Sequence, residues 1–324
     1  MRWTALCLGS VAAVVCVFLA VNYAVDLYGL FGKDARIVYT DDRLGKYLLS
    51  LRYVPERFDA LLVGSSITDN WDTAKIDSVR MYNGSIVGGN ISEAKVIADN
   101  VLNRKRLKVV VFCVYPYLTE THGKKAGGMS EREYWAAFGS LQLLRDYATA
   151  YQVFLGRRRQ PFDEYGVTST THSPTRQAWW KAGGKPTKPE DVYLDPVAYS
   201  EYSELVRRAR SLGALIVHVN PPIYYERWTL NQAAFETYYR KMAGLFHAED
   251  PALDFNTAGF DRIRKSRDSF YDGAHLSKAG SDDVVSVLND TIRRHCSRLS
   301  VASQARFYKS NSRTPLTELL DRHH

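Results

Sequence analysis

Three short segments of this 324-residue chain carry residue types that can do covalent chemistry. They are Gly64-Ser65-Ser66-Ile67-Thr68, Asn83-Gly84-Ser85-Ile86-Val87-Gly88-Gly89 and Tyr271-Asp272-Gly273-Ala274-His275. A serine at a strand-to-helix turn presents its hydroxyl to solvent, with backbone N–H groups nearby that can bind an oxyanion. The hydroxyl is a weak nucleophile until a base takes its proton. Asp272 and His275 stand three apart on one segment, close enough to hydrogen-bond. The carboxylate would then fix the imidazole tautomer and leave the other ring nitrogen for the serine. The chemistry this predicts is attack by a serine hydroxyl on an acyl carbonyl.

These segments need elements to position them. Phe58–Val63 reads as a short buried strand that breaks at Gly64-Ser65-Ser66, and Leu107–Val114 as a second continuous apolar strand. Residues 91–103 predict a helix, and 130–156 carry helical periodicity with many aromatics. Residues 160–195, rich in Ser, Thr, Pro, Gly and Lys, read as irregular. A helix over 197–212 leads to a third strand, Ala214–Val219, ending at Asn220-Pro221-Pro222. Further helices are expected over 230–246 and from Ser277. Apolar strands alternating with helices predict an α/β fold, a flavodoxin-like three-layer sandwich whose parallel sheet is covered on both faces. Ligands on such sheets bind outside the carboxyl ends of the strands.

In this order, the serine turn, the glycine loop and the late Asp-x-x-His resemble the SGNH/GDSL hydrolase superfamily over roughly residues 58–295. The resemblance implies Ser66 as the nucleophile, with Ser65 in place of the family's aspartate. It implies Gly88 as an oxyanion donor beside the Ser66 N–H, His275 as the base and Asp272 as its partner. The family's third block should follow the second strand with an asparagine donor. Here it reads Cys113-Val114-Tyr115-Pro116-Tyr117, without asparagine. Within the superfamily, the serine pair, the missing asparagine and an apolar N-terminus are most similar to envelope acyl-transfer proteins, the teichoic-acid D-alanyl transfer and alginate O-acetylation types. The resemblance thus implies a serine acyl esterase or acyltransferase acting on an exported or cell-envelope polymer. The alternative is a non-catalytic binding or assembly subunit of an envelope polysaccharide-modifying complex. Acylated polymer or a small acyl donor would be the substrate, with the membrane and other membrane proteins of such a system as partners.

From Trp3 to Val25 no residue is charged, which predicts a transmembrane signal anchor over residues 1–25. A single span before a large domain predicts a catalytic domain on the periplasmic or extracytoplasmic side, although the flanking basic residues Arg2, Lys33 and Arg36 set orientation only weakly. A linker over 26–57 should follow, then a hydrolase-like domain over 58–296 with an insertion at about 119–195, and a polar tail over 297–324. The net charge of +8 favours anionic surfaces, but no nucleic-acid-binding signature accompanies it, so a solvated basic face near a membrane is expected rather than nucleic acid. Cys7, Cys16, Cys113 and Cys296 show no zinc or redox spacing and read as separate thiols. His122, His172, His218 and His247 lack metal spacing, and no cofactor or metal is expected. Position 68 is Thr, not the glycine an α/β-hydrolase elbow needs, and there is no dinucleotide fingerprint or P-loop. Trp179-Trp180 and Tyr224-Tyr225 could face a sugar or pack in the core.

Overall fold

The computed structural model describes residues 2–31, 41–120, 127–168 and 174–311. Five parallel strands form its centre: β1 (Ala60–Val63), β2 (Met81–Asn83), β3 (Val109–Cys113), β4 (Leu215–Asn220) and β5 (Ala252–Asp254). Their order is β2-β1-β3-β4-β5, the flavodoxin-like arrangement. Ala60 stands opposite both Met81 and Val109, Val109 opposite Leu215, and His218 opposite Ala252. Successive side chains on a strand leave opposite faces. Leu61, Val63, Val110, Phe112 and Ile216 therefore enter one core cluster, while Leu62, Val109, Val111, Val217 and Val219 enter another. With both faces covered, the central strands read as continuous apolar runs instead of alternating ones.

The first face is covered by α3 (Tyr53–Arg57), α4 (Ile91–Leu102), α9 (Pro196–Ser211) and α10 (Tyr225–Ala243). The second carries α11 (Asp261–Arg264) and α12 (Lys278–Asn311). Ahead of the sheet lie α1 (Arg2–Val25) and α2 (Asp42–Leu51), and between β3 and β4 run α5 (Pro116–Thr119), α6 (Glu131–Ala136), α7 (Leu141–Phe154) and α8 (Pro174–Lys181). Helix α1 has 24 residues and a mean hydropathy of 2.5 in its most apolar window. At 1.5 Å per residue it is about 36 Å long, enough to cross a hydrocarbon layer of about 30 Å. Lys33 and Arg36, which bear on its orientation, lie outside the described residues.

Three expectations are corrected. Residues 42–57 are not a linker: they form α2 and α3, and Tyr47, Leu48, Leu49 and Val54 are buried. Helix α2 begins at an Asp41 cap whose carboxylate accepts from Leu44 N–H at 2.7 Å. Leu44, Tyr47, Leu48 and Leu51 recur at helical spacing along it, and Gly45 and Lys46 occupy buried positions as well, Gly45 meeting the ring of Phe162. The irregular stretch 160–195 contains α8, whose Trp180 anchors it in the core. Helix α12 runs past the expected boundary at 296 to Asn311; residues 312–324 lie outside the described residues. Strands β2 and β5, three residues each, are too short to announce themselves by periodicity.

Candidate active site

The chain reverses direction across the sheet between β1 and β3, and the three chemically notable segments meet at the carboxyl ends there. Ser65 and Ser66 follow β1 immediately. The Ser66 turn closes through Thr68 N–H donating to the Ser65 carbonyl at 3.0 Å. Gly64 is required by close approach, since a Cβ there would stand 2.1 Å from Thr68 Oγ1 and 2.8 Å from Ser85 Oγ. Ser65 is buried and its side-chain oxygen has no hydrogen-bond partner among the described residues, whereas Ser66 is half-buried at the opening.

His275 Nε2 lies 3.1 Å from Ser66 Oγ, and Nδ1 lies 3.0 Å from each oxygen of Asp272. Asp272 Oδ1 also accepts the backbone N–H groups of Ala274 at 3.1 Å and His275 at 2.9 Å. Burial alone would raise the Asp272 pKa. The hydrogen bond and charge interaction with His275, helped by the two backbone donors, outweigh it and hold the carboxyl well below its ordinary range. Asp272 is therefore a carboxylate throughout neutral pH. The loop is set against the insertion: at Gly273, with φ +80°, a Cβ would stand 2.8 Å from the Trp180 ring. Trp180 is itself held by Nε1–H donating to the Arg267 carbonyl at 3.2 Å and by the Arg267 guanidinium, 3.7 Å over its ring.

Gly88 lines the same cavity as Ser66, Asp272 and His275. The loop that carries it is held by groups that sequence reasoning missed. Lys46 is fully buried, pairs with Asp42 at 3.0 Å and donates to the Ser85 carbonyl. Asp42 accepts from Val87 N–H at 3.0 Å, and Arg43 reaches the Gly88 carbonyl at 3.4 Å. Asn83, at the end of β2, ties this loop to the serine turn. Its Nδ2 donates to the carbonyls of Thr68 (2.8 Å), Asp69 (3.2 Å) and Trp71 (3.1 Å), and its Oδ1 accepts from Ser85 N–H (3.0 Å). Lys46, Asp42 and Arg43 gave no sequence signal because they sit in the segment read as linker.

The cavity has a volume of about 420 Å³ and a mixed lining. Besides the residues already named, Tyr115, Tyr117, Glu120, Arg176, Glu190 and Arg227 contribute to it. Among the described lining residues there is no Asn or Gln, so the third block supplies no carboxamide. It supplies two phenols. Tyr115 is buried, which raises its pKa against the opposing influence of Arg227. Tyr117 is partly exposed, and its hydroxyl lies 3.8 Å from where a Cβ on Gly88 would be. Arg227 forks onto both oxygens of Glu190 at 2.5 and 2.6 Å. The remaining candidates lie elsewhere. His218 bonds Asn220 at 2.8 Å and stacks on Phe246, as a satisfied strand-end residue. His247 pairs with Glu249 at 3.4 Å. Trp180 and Tyr224 pack together in the core, while Trp179 and Tyr225 are exposed. Cys113 and Cys296 are free thiols. His122 and His172 lie outside the described residues.

No protein-family model matches the chain, and no curated protein matches its sequence. Solved structures similar to it include TesA, 14% identical, with a TM-score of 0.38 over 72% of this chain and 98% of that one. A Streptococcus pneumonia protein described as a platelet activating factor is 10% identical, with a TM-score of 0.42 over 78% of this chain and 91% of that one. What this chain does chemically is set by its own side chains.

Proposed function

We propose that this chain is a membrane-anchored, SGNH-type serine acyl esterase or acyltransferase that works on an exported or cell-envelope polymer, with its domain on the extracytoplasmic side. The observation that carries the reading is the line of contacts from Asp272 through His275 to Ser66. Ser66 Oγ attacks the acyl carbonyl while His275 Nε2 takes its proton, and Asp272 stabilises the imidazolium that forms. The N–H groups of Gly88 and Ser66 receive the oxyanion, with the Tyr117 hydroxyl beside Gly88 in the role the family's asparagine plays. His275 then returns the proton to the leaving group. Deacylation to water makes an esterase; deacylation to a sugar hydroxyl makes a transferase. The charged and phenolic lining suits a small acyl group on a hydroxylated, polar partner better than a long alkyl chain.

The test is a fluorophosphonate probe on detergent-solubilised full-length protein, followed by comparison of ester-linked acyl groups on envelope polysaccharide between wild type and a Ser66→Ala strain. Labelling at Ser66 and a fall in acyl content are expected. A folded protein that takes no label, with acyl content unchanged by Ser66→Ala, would refute the enzymatic reading. The absent carboxamide favours one alternative, a non-catalytic assembly subunit. That reading predicts loss of acyl groups on deleting the protein but not in Ser66→Ala.

A further inference from the structure

The α6–α7 hairpin carries a surface that the acyl-transfer chemistry does not use. Along α7, Leu141, Leu144, Tyr151 and the following Leu155 recur at helical spacing on one side, and all four are exposed, Leu141 by 76%. Trp135 on α6 and Phe154 add 66% and 75% exposed aromatic surface. Isolated exposed apolar residues are ordinary; a stripe of this size is not. Arg157-Arg158-Arg159 follow directly and are exposed as well.

The position of the hairpin beside α1 bears on what could cover this stripe. It is docked on the carboxyl end of α1. Asn22 Nδ2 donates to the Ala137 carbonyl at 3.2 Å, and Tyr147 Oη donates to Asn22 Oδ1 at 2.9 Å. Phe18 meets Tyr147 edge-on at 6.4 Å, and Phe31 meets Phe138 at 5.6 Å. The exposed stripe is therefore continuous with the end of a helix long enough to span a bilayer. Tryptophan, tyrosine and leucine with neighbouring arginines are the residue types that settle at the boundary between headgroups and acyl chains.

We propose that the exposed side of α6–α7 lies in the interfacial layer of an anionic bilayer beside α1, with Arg157-Arg158-Arg159 on the lipid phosphates. This rests on α1 spanning the membrane. The test reconstitutes full-length protein into phosphatidylglycerol-containing vesicles doped with a diazirine-bearing phospholipid, irradiates them, and maps the adducts. Adducts are expected in residues 2–25 and also in 130–160. The exposed-site variant Leu144→Glu/Tyr151→Glu/Phe154→Glu should lower the second set by about fivefold or more and leave the first unchanged. Leu144→Ile/Tyr151→Phe, which keeps the apolar surface, should retain both. Adducts confined to 2–25 would overturn the proposal while leaving the anchor in place, as would protein–protein cross-links from 141–155 in place of lipid adducts. Absence of adducts from both regions would remove the anchor and this proposal with it.

Discussion

Replacing Asp272 with Asn tests the site at its most constrained member. The side chain is isosteric, and its Oδ1 can still accept from Ala274 and His275 N–H, so the loop should hold its shape. The amide nitrogen then takes the place of Oδ2, 3.0 Å from His275 Nδ1. Two donors face each other there, which favours the tautomer whose proton sits on Nε2 and points at Ser66. The variant also loses the charge that stabilises the imidazolium. Unit charges about 4 Å apart attract by about 4 kcal/mol at an effective dielectric constant of about 20. That alone slows acylation by about three orders of magnitude, and the wrong tautomer extends the loss toward about four. The assay is pre-steady-state release of nitrophenol from p-nitrophenyl acetate, with melting curves to show that the variant is folded. A folded Asp272→Asn protein acylated within about tenfold of wild type would refute the triad.

The same carboxylate sets a pH dependence of stability. Its folded pKa is depressed, so its contribution is present above the unfolded value of about 3.9 and is lost as pH falls through the folded value; urea melts should show wild type and Asp272→Asn converging below about pH 3.9. Ser65→Ala removes a buried hydroxyl that has no partner among the described residues, and stability measured by denaturant should stay level or rise by about 1 kcal/mol with acylation unchanged. Lys46→Met leaves the Ser85 carbonyl unsatisfied and Asp42 unpaired, so denaturant melts should show a loss of about 3 kcal/mol and fluorophosphonate labelling should slow. Tyr117→Phe should cut kcat by about 100-fold with little change in KM if its hydroxyl serves the oxyanion; an unchanged kcat would remove it from that role.

The legible parts of this molecule were those written locally. The runs at 60–63, 109–113 and 215–219 are buried on both faces, so each announces a strand by unbroken apolarity. Ser66, Gly88, Asp272 and His275 were visible because each belongs to a short motif at a strand or loop end, and the fold brings all four to one cavity. The supporting residues work across long separations. Asn83 joins two loops through four hydrogen bonds, yet as a lone asparagine beside a glycine it reads as a turn. Trp180 braces the Asp272–His275 loop from an insertion whose composition suggests no structure. Lys46 is the extreme case, because a lysine in a short surface-like stretch is ordinarily a solvated one. The buried Ser85 carbonyl, Asp42 and the Phe162 ring, 5.2 Å from its ammonium, give its charge a reason to be inside.

That buried lysine also explains why α2 belongs to the site. One side of the helix, through Asp42, Arg43 and Lys46, holds residues 85–88, of which Val87 and Gly88 line the cavity. Its other side, through Tyr47 and Leu48, packs with Leu27 and Tyr28 behind α1, with Ala137 and Leu143 of the hairpin, and with Ile86. Tyr47 Oη closes the connection by donating to the Ser130 carbonyl at 2.9 Å. Helix α1, the hairpin and the loop carrying Gly88 thus all meet on α2. On the proposed mechanism, an oxyanion site without a side-chain amide depends on the placement of backbone donors, and α2 holds the Gly88 loop from the side of the molecule on which α1 packs.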